Sequence, residues 1–142
     1  MAITTGEKRD ALSRLPLFAE ISGESLDRLA DVAGEQAFDA GEYIVRQGQV
    51  GTGLYVLLDG EASVIRGSTQ LAGLSAGEFF GELAVIDQQP RSASVRANSP
   101  VHCLAIASWD LVGLLERDPA LALNMIQVLV ARLRAAGESH RH

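Results

Sequence analysis

Two hydrophobic patterns divide this 142-residue chain. From Glu35 to Ala107, short apolar or alternating runs are separated by turns that contain glycine. These runs are EYIVRQ, GLYVLLDG, EASVIRG, QLAGL, SASVRA and VHCLAI. Several short strands with such turn signals are typical of a β-sandwich, jelly roll or barrel, and not of alternating strands and helices. We therefore predict a mainly β middle region.

Residues spaced as in helices precede this region. Apolar residues at intervals of three and four predict an amphipathic helix from Gly23 to Ala33, with Ser22 as its cap. The first fifteen or so residues, around Leu12 and Leu15, indicate either a short helix or a loosely held arm. The pattern leaves both alternatives open for this segment.

Two further helices are predicted after the strands. One begins at Ser108 in the run SWDLVGLLER, where Asp110 lies near the positive end of the helix dipole. Asp118 before Pro119 indicates a new start, because aspartate caps helices well and proline suits the first helical position. We expect this last helix to end at Gly137.

The last helix carries more apolar residues than one packing face needs. They cover more than the stripe of about 100° that a simple surface helix presents. This excess favours core packing or a homodimer seam over a ligand pocket. The residues are Leu121, Leu123, Met125, Ile126, Val128, Leu129, Val130 and Leu133.

Composition is that of one compact domain. The length and the 47% hydrophobic content suffice for a single core over residues 1–142. We divide it into an N-terminal arm (1–16), a helix with the β region (17–107) and C-terminal helices (108–137). No apolar run approaches the roughly 20 residues that cross a bilayer, and no leader opens the chain. We therefore expect a soluble, cytoplasmic protein without a membrane segment.

Charge and metal-ligating residues argue against other classes. A net charge of −6 disfavours a nucleic-acid partner, since such proteins usually carry a basic face. The three histidines are too scattered for a metal site, and Cys103 has no second cysteine, so we interpret it as a buried, inert thiol. GQVGTG lacks the lysine of a phosphate-binding loop and leads into a strand, which makes it a turn.

The segment GEFFGELAVIDQQPRSASVRA, at Gly77–Ala97, carries groups that suit a small anion. Gly81 lets the backbone approach closely, and the helical turn that we predict after it presents free N–H groups. Arg91 offers a planar fork of donors that matches two phosphate oxygens. Glu82 repels an anion but can accept a hydrogen bond from a sugar hydroxyl. The pair therefore suits a ribose phosphate, with both side chains facing one cavity.

Within this segment, FGELAVIDQQPRSASV closely resembles the phosphate-binding cassette of the cyclic nucleotide-binding domain family, which includes the catabolite activator protein, protein kinase A regulatory subunits and cyclic nucleotide-gated channels. The similarity extends through RQGQVGTGLYVLLDGEASV and VHCLAIASWDLVGLLERDP, from about Leu17 to Ala136. It implies an antiparallel β-roll, jelly-roll-like, with an N-terminal helix and two C-terminal helices. It also implies a sensor that binds cAMP or cGMP, uses no further cofactor and moves its last helix on binding.

The resemblance implies a role for individual residues. Arg91 corresponds to the arginine that pairs with the cyclic phosphate, and Glu82 to the acid that holds the ribose 2′-hydroxyl. The residues implied to contact phosphate and ribose through backbone or hydroxyl groups are Gly81, Leu83, Ala84, Ser92 and Ala93. The residues implied to line the base pocket are Val64, Leu71 and Leu74.

The chain departs from the family pattern in three places. No helix-turn-helix follows the last helix in the sequence given, so we do not expect a complete transcription regulator of this family, and the output that the sensor controls stays open. Ala136 and Gly137 lack the hydroxyl that some relatives place over the adenine, which leaves Arg132 and Arg134 as candidate caps through cation–π contact. Gly51–Gly53 replace the usual acidic or alanine residues before the third strand, and we expect them to loosen that turn without affecting the pocket.

Three alternatives remain beside this interpretation. For Arg91, the alternative is a surface salt bridge with Glu82 or Asp87. For the chain, it is a scaffold or dimerisation module without nucleotide, against which the intact pair of Glu82 and Arg91 argues. An enzyme is disfavoured, because no nucleophile has a neighbouring histidine and no acids are paired. Relatives that prefer cGMP often have threonine at the position of Ser92, and serine is intermediate. Because no other residue from Leu71 to Leu83 offers a partner for the guanine edge, we expect a preference for cAMP.

Overall fold

The computed structural model of the chain describes residues 3–50, 53–81 and 91–139, without the side chains of residue 132 and residues 136–139. Its helices are α1 (Thr5–Ser13), a 3₁₀ turn (Pro16–Phe18), α2 (Gly23–Val32), α3 (Ser108–Arg117) and α4 (Pro119–Ser139). Its strands are β1 (Gly34–Phe38), β2 (Tyr43–Val45), β3 (Gly53–Asp59), β4 (Ala62–Arg66), β5 (Thr69–Leu74), β6 (Phe79–Phe80), β7 (Ser94–Ala97) and β8 (Val101–Ala107).

The strands form two antiparallel sheets. One sheet has the order β1-β8-β3-β6 and the other has the order β2-β7-β4-β5. Neighbouring strands pair antiparallel throughout both. Each of the six runs singled out in the sequence coincides with one of these strands to within one or two residues at either end. The predicted fold, an antiparallel β-roll flanked by helices, is confirmed.

The first sheet separates two hydrophobic layers, because successive side chains of a strand point to opposite faces. On β3, Leu54 and Val56 pack with the helices, whereas Tyr55 and Leu57 pack between the two sheets. We call these layers the helical core and the roll interior. The helical core is Leu12, Leu15, Leu17, Phe18, Ile21, Leu29, Ala33, Leu54, Val56, Phe79, Leu104, Ile106, Leu111, Leu114, Leu121 and Met125. The roll interior is Ile44, Val45, Leu57, Ala62, Phe80, Val95, Ala97, Val101 and Cys103.

The N-terminal segment is a helix anchored in the helical core. At its start, the Thr4 hydroxyl accepts a hydrogen bond from the backbone N–H of Glu7, and the Glu7 carboxylate accepts one from the N–H of Thr4. Leu12 is fully buried and Leu15 is nearly so. Of the two alternatives that the sequence left open, the structure therefore shows the helix and not the loosely held arm.

The predicted caps of α2 and α4 are confirmed. The Ser22 hydroxyl accepts the N–H of Ser25 at 3.1 Å, and Oδ1 of Asp118 accepts the N–H of Ala120 at 3.1 Å. The prediction that Gly137 ends the last helix is wrong, because α4 continues to Ser139. One glycine lowers helix propensity by only about 1 kcal/mol, which does not stop a helix whose preceding turns are already formed.

Two residues of β8 show how this strand faces its surroundings. Cys103 is fully buried in the roll interior, and burial raises the pKa of its thiol to about 11, as expected for an inert cysteine. Nε2 of the neighbouring His102 lies 2.8 Å from Oε2 of Glu35 on β1.

In the described part of the chain, no helix is long and apolar enough to cross a membrane.

Candidate functional site

Gly81 brings the end of β6 against the start of β3. Its backbone has φ +96°, in the left-handed region that favours glycine. A Cβ atom at this position would lie 2.7 Å from the carbonyl oxygen of Gly53 and 3.0 Å from Nη1 of Arg91. The first distance is too short for any real Cβ, and the atom that it meets belongs to the backbone. Only glycine therefore allows this approach.

The backbone of Arg91 is tied to the turn that precedes β3. Its N–H donates to the carbonyl oxygen of Gln49 at 2.7 Å, and its own carbonyl oxygen accepts the N–H of Gly48 at 2.9 Å. Its side chain is half-buried, and Nη2 donates to the carbonyl oxygen of Gly53 at 3.1 Å. The turn and the first residue of β3 thus fix both ends of this arginine.

The guanidinium of Arg91 keeps its charge in a place partly shielded from water. Burial lowers the pKa of Arg91, and the nearby Tyr55 acts in the opposite direction. An arginine stays protonated at neutral pH even so, because its ordinary pKa lies above about 12. Among the described residues, neither ion pair of the protein involves Arg91. The alternative of a salt bridge with Glu82 or Asp87 concerns residues outside the described ones.

An aromatic pair lies beneath this guanidinium. The Tyr55 ring has its centroid 5.8 Å from the Arg91 guanidinium carbon, and it stacks on Phe80 with centroids 5.2 Å apart and planes 7° from parallel. Tyr55 and Phe80 are direct partners in the pairing of β3 with β6. Burial raises the pKa of Tyr55, so its phenol is neutral at physiological pH. We call Gly53, Tyr55, Gly81 and Arg91 the arginine site.

The residues proposed for the base pocket fall into two groups. Val64 and Leu74 are half-buried and pack against the roll interior. Phe80 belongs to the same layer, and Tyr55 packs against it. Leu71 lies on β5 opposite the irregular register between Val64 and Ile65, and it is 47% exposed. Two of the three residues therefore share the layer that carries the aromatic pair.

The segment after Arg91 leads directly into β7. Ser92 is exposed, and its carbonyl oxygen accepts a hydrogen bond from Nε of Arg66 at 3.1 Å, while Ala93 is half-buried. The hydroxyl of Ser94 accepts a hydrogen bond from the backbone N–H of Gln47 at 2.8 Å. Ser94 thus has a structural role, joining the start of β7 to the turn before β3.

This arrangement suits an anion next to an apolar surface. A guanidinium has five N–H donors along its edge. In the described part of the chain, one of them donates a hydrogen bond to the carbonyl oxygen of Gly53. The ring of Tyr55 faces the guanidinium plane and accepts none of these hydrogen bonds. The positive charge is half-buried, which strengthens its attraction for an anion over that in open water. The site therefore offers a fork of donors beside stacked rings.

Comparison with known proteins identifies the family. The sequence model described as "Cyclic nucleotide-binding domain" matches residues 35–118, which is more than half of the chain and includes every strand after β1. The chain belongs to this family. Domains of the family are regulatory sensors and not catalysts, so this chain is a regulatory cyclic nucleotide-binding domain.

Individual relatives show how this domain is used in longer proteins. The chain is 33% identical over 128 residues to the cyclic AMP receptor protein of Thermus thermophilus, covering 85% of this chain and 58% of the relative. It is 33% identical over 95 residues to the cGMP-dependent protein kinase egl-4 of Caenorhabditis elegans, covering 63% and 12%. The crystal structure of Thermus thermophilus catabolite activator protein matches with a TM-score of 0.79 and 32% identity, covering 87% and 61%. The chain thus spans only part of each.

The structure corrects one inference about this cyclic nucleotide-binding domain. Gly53 does affect the site, since its carbonyl oxygen accepts a hydrogen bond from Arg91 and sets the space at Gly81. Gly53 itself must be glycine, because a Cβ there would lie 2.7 Å from the carbonyl oxygen of Ile106. Gly53 contributes through its backbone carbonyl oxygen. Comparing the residue type at this position with that in relatives does not reveal such a contact.

Several residues assigned from the resemblance lie outside the described ones. They are Glu82, Leu83 and Ala84, together with the side chain of Arg132. Arg134 is described, and it is exposed on α4. The structure therefore brings together Gly81 and Arg91 from the predicted set, and it adds Gly53, Tyr55 and Phe80.

Proposed function

We propose that this domain binds cAMP at the arginine site and reports occupancy through α4. The observation that carries the proposal is the half-buried guanidinium of Arg91 next to Gly81. A charged group withdrawn from water needs compensation, and a cyclic phosphate supplies both charge and paired acceptor oxygens. The stacked rings nearby favour a ligand with an apolar portion, such as a nucleoside.

The proposed contacts divide the nucleotide into three parts. Arg91 pairs with two phosphate oxygens through its fork, and Glu82 accepts a hydrogen bond from the ribose 2′-hydroxyl. The base lies against the roll interior. The residues proposed for backbone or hydroxyl contacts are Gly81, Leu83, Ala84, Ser92 and Ala93, those for the base are Val64, Leu71 and Leu74, and those for its cap are Arg132 and Arg134.

The choice of cAMP over cGMP rests on the residue at position 92. Similarity does not decide it, because one relative named above is a cyclic AMP receptor and the other a cGMP-dependent kinase. With serine in place of threonine, the guanine 2-amino group lacks a designed partner in a largely apolar pocket. An unpaired donor costs about 1–3 kcal/mol, which corresponds to roughly five- to 150-fold weaker binding of cGMP.

Isothermal titration calorimetry with cAMP tests the binding proposal. Arg91→Leu should weaken binding by more than about thirtyfold, because a hydrogen bond to a charged group contributes about 2 kcal/mol or more. Arg91→Lys should recover part of the loss, since the charge returns without the planar fork. The control is Arg96→Leu, an exposed arginine on the next strand, which should bind as the parent does. Equal binding by Arg91→Leu contradicts the proposal, and no binding by the parent favours the scaffold alternative.

Competition against a fluorescent cAMP analogue tests the choice of base. The parent should prefer cAMP, and Ser92→Thr should narrow the difference by providing a partner for the guanine 2-amino group. Ser92→Ala should weaken both nucleotides modestly. A parent that binds cGMP as tightly as cAMP would show that position 92 does not set the preference.

We propose that α4 signals ligand binding and associates with a second copy of the chain, because it has apolar residues on two faces. Leu121 and Met125 are buried in the helical core, whereas Leu123, Ile126 and Leu133 are 56%, 56% and 72% exposed. The exposed residues recur at helical spacing and suit a seam with a second copy of the chain. Sedimentation with and without cAMP should show self-association that Ile126→Glu removes. A strict monomer at high concentration would eliminate the seam.

A further inference from the structure

Arg91 requires an external constraint to present its fork in one orientation. An arginine side chain has many rotamers and loses much conformational entropy when it is fixed. A carboxylate partner would fix it, but it would also occupy donors and neutralise the charge. In the described part of the chain, this guanidinium donates a hydrogen bond to the carbonyl oxygen of Gly53, lies over the ring of Tyr55 and is approached by the backbone of Gly81.

An aromatic face can hold a guanidinium without occupying its donors. A cation over a ring is attracted by the electrons of the ring face, while the N–H groups of a planar guanidinium point outward from its edge. The 5.8 Å between the Arg91 guanidinium carbon and the Tyr55 centroid lies within the range of this attraction, which extends to about 6 Å. Because burial raises the pKa of the phenol, the ring meets the cation in its neutral form.

The ring is itself fixed by the sheet. Tyr55 faces Phe80 as its direct partner between β3 and β6, and the two rings stack nearly parallel. Phe80 immediately precedes Gly81, the residue whose backbone approaches the guanidinium. The pairing of β3 with β6 therefore sets the position of the ring and that of the close backbone approach together.

We propose that Tyr55 is a positioning residue for the ligand: its ring, backed by Phe80, holds the Arg91 guanidinium so that the fork is oriented before the phosphate arrives. The inference rests on the proposed binding function of Arg91. It assigns the effect to the ring of Tyr55 and not to its hydroxyl.

Titration with cAMP of a short series of variants tests this assignment. Tyr55→Phe keeps the ring and should bind within about twofold of the parent, whereas Tyr55→Leu should bind about five- to twentyfold more weakly, as expected for loss of a partly desolvated cation–π contact. The matched control is Tyr43→Leu. It removes the other described cation–π contact, 4.3 Å from the Arg46 guanidinium carbon to the Tyr43 centroid, and should leave binding unchanged.

A second measurement reports the arginine itself. Above an aromatic face, the Nε–H proton of Arg91 should resonate at an upfield-shifted position in the ¹H–¹⁵N spectrum of the full chain. That shift should persist in Tyr55→Phe and disappear in Tyr55→Leu, and Arg91→Leu identifies the signal by removing it. A loss of packing alone would not move this resonance selectively. If Tyr55→Leu no longer unfolds cooperatively, Tyr55→Met replaces it, since methionine fills the space without an aromatic ring.

The outcomes separate this inference from the binding proposal. If Arg91→Leu binds cAMP as the parent does, the proposed function fails. If Arg91→Leu loses binding while Tyr55→Leu keeps it, the function stands and the positioning role is overturned. Tyr55→Phe as weak as Tyr55→Leu would also overturn it, because the hydroxyl would then be the group that matters.

Discussion

Asp118 and Arg91 both carry a charge in a place shielded from water, but the chain surrounds them differently. The carboxylate of Asp118 accepts hydrogen bonds from the backbone and hydroxyl of Ser22, from the hydroxyl of Ser25 at 2.7 Å, and from the N–H groups of Ala120 and Leu121. In the described part of the chain, the guanidinium of Arg91 donates to one carbonyl oxygen. The first charge is saturated with donors, whereas the second has donors that no described residue accepts.

The two regions also connect different parts of the chain. We call Ser22, Ser25 and Asp118 the Asp118 cluster, and it joins the start of α2 to the start of α4 over more than 90 residues of sequence. The arginine site joins β3, β6 and the segment before β7. A saturated buried charge contributes to the fold, whereas an unsaturated one is available to a ligand. Stability and binding should therefore separate between these regions.

The largest expected effects come from removing the charged side chain of each region in turn and measuring both stability and binding. Asp118→Ala should lower the free energy of unfolding by about 2 kcal/mol, because α4 loses its cap and buried donors lose their acceptor. Its folded fraction should still bind cAMP. Arg91→Leu should do the opposite, with stability within about 1 kcal/mol of the parent and binding lost. Urea unfolding and calorimetry on the same samples measure both quantities.

The control for this pair is Asp110→Ala, which removes an acid from the first turn of α3. It should change stability by less than about 0.5 kcal/mol, since its carboxylate forms no hydrogen bond or ion pair among the described residues and acts there through the helix dipole. The separation of the two regions fails if Asp118→Ala leaves stability unchanged, or if Arg91→Leu unfolds the protein.

Two glycines with nearly the same backbone sharpen the comparison further. Gly77 has φ +91° and open space where a Cβ would lie, whereas a Cβ on Gly81, at φ +96°, meets Gly53 and Arg91. Both alanine variants incur left-handed strain of about 1–2 kcal/mol. Gly81→Ala should cost at least about 1 kcal/mol more, because backbone must shift, and it alone should weaken cAMP binding. Equal effects in both variants would show that the close approach at Gly81 is unimportant.

The smallest expected difference concerns the loss of stability at low pH. We expect the Asp118 cluster, and not the arginine site, to cause it. The hydrogen bond from Ser25, followed by those from backbone N–H groups, lowers the pKa of Asp118 in the folded protein. A lowered pKa adds stability above the unfolded value, about 4, and that stability is lost as the pH falls through the folded pKa. Asp118→Asn should therefore be less stable at neutral pH and lose less on acidification.

The acid-unfolding experiment also needs a variant of Glu35, because this carboxylate contributes to the loss of stability at low pH. The N–H of Ile3 and the partner His102 lower the pKa of Glu35 as well, so it also contributes to acid sensitivity. Chemical unfolding of the parent, Asp118→Asn and Glu35→Gln between about pH 3 and 7 distinguishes the two carboxylates. If the parent and Asp118→Asn lose stability in parallel over that range, the cluster does not carry the effect.

Local pattern was sufficient for most of the fold. The alternation of β3 and β8 and the capping residues Ser22 and Asp118 are visible in the sequence because each depends on neighbours within a few positions. β1 and β6 were not among the predicted runs. β6 has two residues, too few to show a period, and the strand residues of β1, GEQAF, are mostly polar and exposed.

The candidate site was predictable only in part. Arg91 and Gly81 stand out because their residue types are tied to a short motif. Gly53 and Tyr55 do not, since they reach the guanidinium through chain pairing over 38 and 36 residues, and one of them acts through a carbonyl that every residue has. The available signal was the alternation of GLYVLLDG, which places Tyr55 on the face opposite Leu54 and Val56.

That alternation makes β3 the shared boundary of two cores with different tasks. One face of the strand helps to hold the helices, and the other holds the ring beneath the arginine. Adding or removing one residue within β3 would exchange the two faces, placing Tyr55 among the helices and aliphatic side chains under the guanidinium. Length changes in this strand would therefore abolish packing and recognition together.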